Sequence, residues 1–494
     1  MLRSCYTTWR RAPTLARAAS TVAAGRSMGT SGDIGDSFTS ISGAEAAPLP
    51  DRFVDLKRHL ARGKHQKLWD GWCRLLRTLE RENETIAARK SDVIPQVRFA
   101  ELDSDCEKLK HEIQKRGVVV VRGVIPQSEA RAYKDEVEGY VRKNPQTRGF
   151  PKHDPQVYEL YWSAPQLKAR SHPAMMEVQQ RLMTSLWTSS LDAPISLSHP
   201  LTYADRLRIR QPGDTSFALG PHIDGGSVER WEKEGYGRGG VYDKIFEGDW
   251  EKYDPFDATT RIDAVNNLYD GPGACSMLRL WQGWLSMSEC GPLEGTLLVN
   301  PLIKLSTAYL LLRPFFTPIS RSRHEGFLNA SNWMLLNEAN MTTELQGASL
   351  EHRQELNEEL HPHLALGQTM VHIPKMHPGD FVAWHCDSIH AVDKQHIGKD
   401  DSSVLYIPVC PLTQSNAEYL ARQRDTFRRG TPAPDFPGDE GESEHVDRPS
   451  EDMLQTCTNT MGRQAFGLDR LALAEGASPG EQKVVQRANK ILGY

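Results

Sequence analysis

The second half of the chain is dominated by short apolar runs that are separated by glycine, proline and aspartate. These runs begin at about Leu197 and include RLRIRQPG (206–213), CSMLRLWQGWLSMS (275–288), GTLLVNP (295–301), TMVHIP (369–374), GDFVAWH (379–385) and SSVLYIPV (402–409). Each run has the length and composition of one β-strand, and the residues between runs are typical of turns. Many short strands joined by turns indicate a jelly-roll sandwich or barrel rather than a parallel α/β sheet.

Helical patterns precede these strands, so the expected fold class is α+β. Arg52 to Lys90 carries leucine and tryptophan at helical spacing, and Glu101 to Arg116 predicts a second helix. GVVVVRG (117–123) is an apolar run bounded by glycines, which predicts a buried strand. Ser128 is the expected N-cap of the helix that follows.

The composition changes along the chain predict one folded domain behind an N-terminal extension. The expected segments are a transit peptide and disordered linker (1–50) and a single domain (51–494) with a helical N-terminal part (51–196), a jelly-roll core (197–423) and a C-terminal loop and helix (424–494). Two insertions, Glu229–Asp270 and Lys304–Gln368, are expected to form loops or helices outside the barrel.

Charge and cysteine usage exclude several classes of partner. Lys plus Arg is 59 and Asp plus Glu is 64, so the net charge of −5 gives no electrostatic reason to expect nucleic acid. No run approaches the roughly 18 apolar residues of a membrane span. The eight cysteines form no Cys-x-x-Cys pair, which argues against a disulfide framework and a zinc ribbon. We therefore expect neither a nucleic-acid nor a membrane partner, and the sequence does not indicate an oligomeric state.

The first 32 residues differ from the rest, because they contain five arginines and no acidic residue before Asp33. Many serines, threonines and alanines lie between these arginines. This composition is typical of a mitochondrial transit peptide, so we expect a mitochondrial protein. A disordered basic N-terminus on a cytoplasmic protein is the alternative.

A histidine and an aspartate two residues apart occur three times, as His222-Ile223-Asp224, His385-Cys386-Asp387 and His445-Val446-Asp447. The third pair lies in an acidic Pro/Gly segment (431–452), where a rigid coordination shell would be hard to hold. Residues i and i+2 of a strand point to one face, so His222 and Asp224 are predicted to project together into the barrel.

A third ligand is needed on a facing strand. Non-haem Fe(II) enzymes that activate O₂ hold iron with two histidines and one carboxylate, which leaves three positions open. PGDFVAWHCDSIHAV (378–392) offers His385 and His390, and the spacing favours His390. His385 is then either the alternative ligand or a residue packed behind it. His361 and His363 could also bind a metal, although a helix cap or a surface position is expected for them.

Three ordered motifs extend this pattern: H-x-D, then E-x-G-P-L-E-G-T-L-x-V-x-P (289–301), then P-G-D-F-V-x-W-H-x₄-H (378–390). Their order resembles the phytanoyl-hydroxylase-like branch of the 2-oxoglutarate/Fe(II) dioxygenase superfamily. More closely, RIRQPGD, PHIDGGSVERW, YLLLRPFF and SSVLYIPVCPLTQSNAEY are similar to the YbiU-like family, over roughly Arg52 to Gln423.

The resemblance implies a double-stranded β-helix core with Fe(II) held by His222, Asp224 and His390. It also implies 2-oxoglutarate as cosubstrate. Oxidative decarboxylation would release succinate and CO₂ and hydroxylate a C–H bond of a small molecule. The substrate itself would be selected by the two insertions.

One departure from the superfamily concerns the cation that binds 2-oxoglutarate. An Arg or Lys commonly follows the distal histidine by about ten residues, because a buried dianion needs a fixed cation. The interval after His390 holds Lys394 and Lys399 but no arginine. Lys399 and two strand residues, Arg210 and Arg279, are the expected candidates for this contact. Two other interpretations stay open: a cupin-like metalloenzyme without 2-oxoglutarate, and a non-catalytic binding protein with a degenerate site.

Overall fold

The computed structural model describes residue 38 and residues 47–215, 218–271, 274–320, 322 and 326–494. The predicted transit peptide lies outside the described residues, and mitochondrial localisation stays a prediction. No helix in the described ranges is both long enough and apolar enough to cross a membrane.

Helices surround the sheets and occupy mainly the two ends of the chain. The α-helices are α1 (Arg52–Ala61), α2 (His65–Arg89), α3 (Leu102–Arg116), α4 (Gln127–Lys143), α5 (Ala164–Ser171), α6 (Pro173–Leu186), α7 (Asp243–Phe246), α8 (Ile303–Leu312), α9 (Leu366–Thr369), α10 (Gln414–Arg429), α11 (Glu451–Cys457), α12 (Thr460–Ala465) and α13 (Pro479–Leu492). The helix predicted over 52–90 is divided into α1 and α2, because Gly63 has φ +72° and turns the chain between them. Helix α4 begins at Gln127, before the predicted cap Ser128.

The strands are short, as their sequences predict. They are β1 (Gln96–Arg98), β2 (Val118–Arg122), β3 (Gly149–Phe150), β4 (Val157–Tyr158), β5 (Ser196–Leu201), β6 (Leu207–Arg210), β7 (His222–Ile223), β8 (Trp281–Ser286), β9 (Leu297–Val299), β10 (Phe316–Pro318), β11 (Trp333–Leu335), β12 (Gln354–Glu355), β13 (Val371–His372), β14 (Phe381–His385), β15 (His390–Val392), β16 (Ser402–Tyr406) and β17 (Cys410–Leu412). The expectation of a mixed fold with antiparallel sheets is confirmed.

The larger sheet has eight strands in the order β1-β2-β14-β8-β16-β6-β4-β3. All its neighbours are antiparallel except β1 and β2. Strand β2, the predicted buried strand, pairs with β14 along Val118 to Val121. The N-terminal part that we expected to be helical therefore contributes four strands to this sheet, β1 to β4.

The smaller sheet has five antiparallel strands in the order β12-β7-β15-β9-β13. Strand β12 belongs to the insertion 304–368, which we expected to lie outside the strand core. That expectation is wrong for this segment, because Gln354 pairs with Ile223 and Glu355 pairs with His222. The insertion thus reaches the strand that carries His222 and directly precedes Asp224.

Alternate residues of β2 belong to two different cores. Val118 and Val120 pack in a core that also contains Ile223 and Val299 of the smaller sheet, so the two sheets share this core. Val119 and Val121 lie in the other core, which is formed with helices including α3 and α6. Coverage on both faces explains why β2 is apolar at successive positions instead of alternating.

The acidic segment 431–452, predicted to be a surface loop, is anchored by one buried carboxylate. Glu442 accepts hydrogen bonds from the backbone N–H groups of Tyr161 (2.6 Å) and Trp162 (2.8 Å) through Oε1. Its Oε2 accepts from the Tyr140 hydroxyl at 3.2 Å. Burial raises the pKa of Glu442 to about 7 against its ordinary value of 4.5. The segment is therefore fixed to the fold by a carboxyl group that no longer contacts water.

Replacing Glu442 with alanine should destabilise the protein, because two buried N–H groups lose their acceptor. We expect the free energy of unfolding to fall by about 2 kcal/mol or more, measured by urea denaturation. Glu444→Ala is the matched control, because Glu444 is exposed in the same segment. Equal effects of the two substitutions would contradict an anchoring role for Glu442.

The raised pKa of Glu442 also predicts a pH dependence of stability. The folded state holds the proton more tightly than the unfolded state, so this contribution to stability is fully present below pH 4.5 and is lost as the pH rises through about 7. Glu442→Gln mimics the protonated carboxyl and removes the dependence. Relative to wild type, the variant should gain stability between pH 5 and pH 8 in denaturation experiments. A difference that does not change with pH would refute the shift.

Candidate metal centre

Strand pairing brings the two predicted histidine ligands side by side. His390 of β15 lies directly opposite His222 of β7, and their ring centroids are 4.1 Å apart. Asp224 Oδ1 lies 3.9 Å from His222 Nε2, and Asp224 Oδ2 lies 3.4 Å from His390 Nε2. One ligand atom from each of the three residues lies within 4.8 Å of the other two. The structure therefore brings together the three side chains that the sequence analysis selected.

Backbone contacts orient both imidazoles. His222 Nδ1 lies 2.7 Å from the Gly220 carbonyl oxygen, and His390 Nδ1 lies 3.0 Å from the Ser388 carbonyl oxygen. A carbonyl oxygen only accepts, so each Nδ1 donates and each Nε2 of the neutral ring keeps its lone pair. Burial lowers the pKa of His390 to about 3 and that of His222 well below its usual range. Both rings are therefore neutral at pH 7, which is the form that binds metals.

Asp224 has two further partners, and neither was predicted. Arg353 Nη1 forms an ion pair with Asp224 Oδ1. With its amide nitrogen turned toward Asp224, Gln282 donates to Oδ2 at 2.6 Å, and its carbonyl oxygen accepts from the Trp384 indole at 3.3 Å. The pairing of β12 with β7, continued by one residue, puts Arg353 opposite Asp224. The carboxylate is thus held from both sides.

A cavity of about 90 Å³ opens at these residues. Its lining combines three arginines and two aspartates with aromatic rings and comprises Phe38, Asp205, Arg206, Leu219, His222, Asp224, Arg279, Gln282, Gly283, Trp284, Arg353, Trp384, His390, Val392, Tyr406 and Pro408. No carboxylate of the described residues forms an ion pair with Arg279, whose guanidinium carbon lies 5.9 Å from the centre of the Tyr203 ring. Arg279 is therefore positioned to pair with an anion in this cavity.

Two of the three predicted cosubstrate-binding cations lie elsewhere. Arg210 is buried, with Nε 2.7 Å from Asp214 Oδ2 and Nη1 donating to the Asp393 carbonyl at 2.6 Å. These contacts hold its guanidinium in a structural network away from the cavity wall. Lys399 is exposed in the connection between β15 and β16 and also does not line the cavity. Arg210 and Lys399 thus lie outside the lining of this cavity, and Arg279 is the predicted cation that lines it.

His385, the alternative ligand, has both ring nitrogens engaged by the protein backbone. Nε2 lies 2.9 Å from the Pro255 carbonyl oxygen, and Nδ1 accepts from the Asp387 N–H at 3.0 Å. The ring stacks on Trp187 with centroids 5.0 Å apart. These contacts leave no lone pair for a metal without rearrangement. The geometry therefore favours the packing role over the ligand role for His385.

The structure also shows the surroundings of the other histidines that the sequence analysis considered as metal ligands. His361 and His363 are buried, contrary to the expected surface position, and His361 occupies the N-cap position of the 3-10 helix Pro362–Leu364 without a side-chain capping hydrogen bond. His363 lies 3.1 Å from the Tyr309 hydroxyl and belongs to an aromatic cluster. His445 and Asp447 belong to no group of three ligand atoms within 4.8 Å in the described part of the chain, and Asp447 pairs with Lys143 at 2.5 Å.

A second, larger cavity of about 280 Å³ adjoins the first and shares Arg279 with it. Its wall is mainly polar and includes Asn266 and Asn267 of the insertion 229–270. Gly225, the residue after Asp224, also lines it. The larger cavity thus lies directly beside the candidate metal ligands.

The sequence could have indicated the position of Gln282 in the site, but not that of Arg353. Gln282 lies on a predicted strand, and strand alternation places it on the same face as Trp284. Arg353 lies in an insertion without a strand-like run, and only its pairing with β7 brings it to Asp224.

Comparisons with known proteins identify the family. A family model described as Gig2-like matches residues 47–468. The uncharacterized protein YbiU of Escherichia coli K12 is 28% identical over 403 residues, which cover 78% of this chain and 88% of YbiU. GlcNAc inducible gene 2 of Candida albicans has a crystal structure with 30% identity and a TM-score of 0.80, covering 91% of this chain and 96% of that chain. A structure from Salmonella typhimurium LT2, described as a candidate oxidoreductase, shows 28% identity and a TM-score of 0.70, covering 85% of this chain and 98% of that chain. The chain therefore belongs to the Gig2-like family.

Proposed function

We propose that this chain is a 2-oxoglutarate/Fe(II)-dependent dioxygenase that hydroxylates a C–H bond of a small molecule. The observation that carries the proposal is the convergence of two neutral imidazoles and one carboxylate within 4.8 Å. Two histidines and one carboxylate on one side of a metal are the donor set of non-haem Fe(II) oxygenases. His222, Asp224 and His390 would hold the metal and leave its other positions open.

The arrangement of the sheets agrees with a double-stranded β-helix. The two sheets, antiparallel except at β1 and β2, share a core. His222 and His390 lie on β7 and β15 of the smaller sheet, and Asp224 directly follows β7. A jelly roll is built from two such sheets. The description of the Salmonella relative as a candidate oxidoreductase is consistent with this proposal.

The charge of the cavity supports an anionic cosubstrate. Arg279 and Arg353 both line it, and both lower the pKa of His390 through their positive charge, in addition to the larger effect of burial. A dicarboxylate in a buried site needs such fixed cations. We assign the contact with the far carboxylate of 2-oxoglutarate to Arg279, which has no carboxylate partner among the described residues.

Bound Fe(II), 2-oxoglutarate and O₂ would together supply the oxidation, in which the cosubstrate becomes succinate and CO₂ and one oxygen atom enters the substrate. The protein's own residues would orient the metal ligands and keep water out of the cavity. Gln282 fixes the Asp224 carboxylate, while Trp284 and Trp384 exclude water from the cavity wall. The adjoining polar cavity provides the space for the organic substrate beside the metal ligands.

A cupin-like metalloenzyme would use the same three ligands without 2-oxoglutarate. The missing arginine after His390 favours this alternative, whereas the position of Arg279 favours 2-oxoglutarate. Succinate formation from 2-oxoglutarate by the Fe(II)-loaded protein distinguishes the two. Failure to bind any divalent metal would instead support a non-catalytic binding protein.

Asp224→Ala should abolish or greatly weaken metal binding. Removing a buried charged partner costs about 3 kcal/mol or more, which corresponds to roughly a hundredfold in affinity. Co(II) titration followed by absorbance or calorimetry measures this loss, and circular dichroism checks the fold. Asp224→Asn keeps the side-chain shape and should weaken binding as well.

His377→Ala is the control for this experiment. His377 is about half exposed and contacts Glu289 away from the cavity, so Co(II) affinity should not change. Unaltered Co(II) binding by both Asp224 variants would exclude the proposed centre.

Arg279→Ala should weaken 2-oxoglutarate binding while leaving metal affinity unchanged. A hydrogen bond to a charged group contributes about 1.5–3 kcal/mol, so the dissociation constant should rise by roughly ten- to a hundredfold. Titration of the Co(II)-loaded protein with 2-oxoglutarate measures the change. Lys399→Ala is the control, because Lys399 is exposed outside the cavity. If both variants bind 2-oxoglutarate like wild type, the assignment to Arg279 is wrong.

A further inference from the structure

The ion pair between Arg353 and Asp224 occupies the oxygen that a metal would need. Arg353 Nη1 contacts Oδ1, the oxygen that faces His222 Nε2. The other oxygen, Oδ2, accepts from Gln282 at 2.6 Å and faces His390 Nε2 at 3.4 Å. Arg353 and all three candidate ligands line the same cavity.

Both partners of this ion pair are largely buried, with 14% of the Arg353 side chain and 13% of the Asp224 side chain exposed. In this setting an uncompensated charge is costly, so the single carboxylate of the centre needs a cation. Arg353 supplies that cation when no metal is present. A divalent ion that binds Asp224 would compete with Arg353 for the same carboxylate.

We infer that Arg353 is an exchangeable counter-ion of Asp224, which gives up Oδ1 to the metal and then contributes its positive charge to the binding of the anionic cosubstrate. This inference rests on the proposed function and adds to it a second role for one arginine of the cavity. Asp224 and Arg353 together carry no net charge, and a divalent metal that displaces the guanidinium from Oδ1 raises their sum to +2. Metal and dicarboxylate therefore strengthen each other's binding reciprocally.

A permanent supporting role for Arg353 makes the opposite prediction for metal affinity. Partners that orient a ligating carboxylate increase metal affinity, and their removal typically costs about 10- to 100-fold. An exchangeable counter-ion opposes metal binding, because its contact must be broken and its charge repels the ion. The sign of the change in metal affinity therefore separates the two roles.

The test compares wild type with Arg353→Gln and with Arg353→Met, which fills similar space without charge. Co(II) affinity is measured on the metal-free protein, and the affinity of N-oxalylglycine, an unreactive 2-oxoglutarate analogue, is measured on the Co(II)-loaded protein. We expect Co(II) to bind about tenfold more tightly to the variants and N-oxalylglycine about tenfold more weakly, each equivalent to about 1.4 kcal/mol. Opposite changes in the two affinities are the signature of exchange.

Arg142→Gln controls for the change in net charge, because the Arg142 side chain is 72% exposed; both affinities should stay as in wild type. Weaker or unchanged Co(II) binding by the Arg353 variants overturns the inference, while the proposed function survives if wild type binds Co(II) and N-oxalylglycine. Wild type that binds no Co(II) contradicts the proposed function itself. Arg353→Met decides the matter if Arg353→Gln does not fold.

Discussion

The antiparallel pairing of His390 with His222 is the constraint on which the candidate centre depends. Neighbouring strands lie about 5 Å apart, so backbone hydrogen bonds, rather than side-chain freedom, set the separation of the two imidazoles. Strand β7 has only two residues, but β12 and β15 flank it on both sides. Gly225 and Gly226, with φ of +78° and +85°, turn the chain immediately after Asp224. The ligand positions are therefore fixed by the fold before any metal binds.

The sequence predicts the parts of this arrangement that follow from local pattern. Apolar runs and turn residues identify the strands β2, β6, β8, β9, β13, β14 and β16. The H-x-D spacing predicts His222 and Asp224 on one face. The position of the Arg210 side chain cannot be predicted from the neighbouring sequence. It depends on Asp214 and on the Asp393 carbonyl, which lies 183 residues away. The choice between Arg210 and Arg279 as the cavity cation therefore needs the tertiary structure.

The structure of the insertion 304–368 also could not be predicted from local sequence patterns. Its strand β12 has two residues, too few for a periodic signal, and it exists because it pairs with β7. Arg353 reaches Asp224 only through that pairing. The anchoring of segment 431–452 by Glu442 is another long-range contact, made with backbone groups of Tyr161 and Trp162. The composition of this segment predicts a surface loop, because an average composition does not reveal that one residue, Glu442, is buried.

Two H-x-D sequences in this chain have opposite electrostatic settings. Asp387 pairs with Arg261 at 2.7 Å and lies 3.9 Å from Arg230, and both are buried. Although burial raises the pKa of Asp387, the positive charges of Arg261 and Arg230 help lower it to about 2. The carboxylate of Asp387 is therefore ionised at pH 7, and the two arginines compensate its charge. Its neighbour His385 has no ring nitrogen left for a metal.

Asp224, by contrast, has one arginine partner, and two neutral imidazoles direct their lone pairs toward it. A divalent ion can replace one guanidinium here, but at Asp387 it would have to displace two cations and break two backbone contacts of His385. The number of competing cations, rather than the H-x-D motif, therefore separates the candidate metal centre from the closed cluster. The strand core supplies the candidate ligands, whereas the insertions supply Arg353 and part of the wall of the larger cavity. The candidate ligands and the residues around them therefore come from different parts of the sequence.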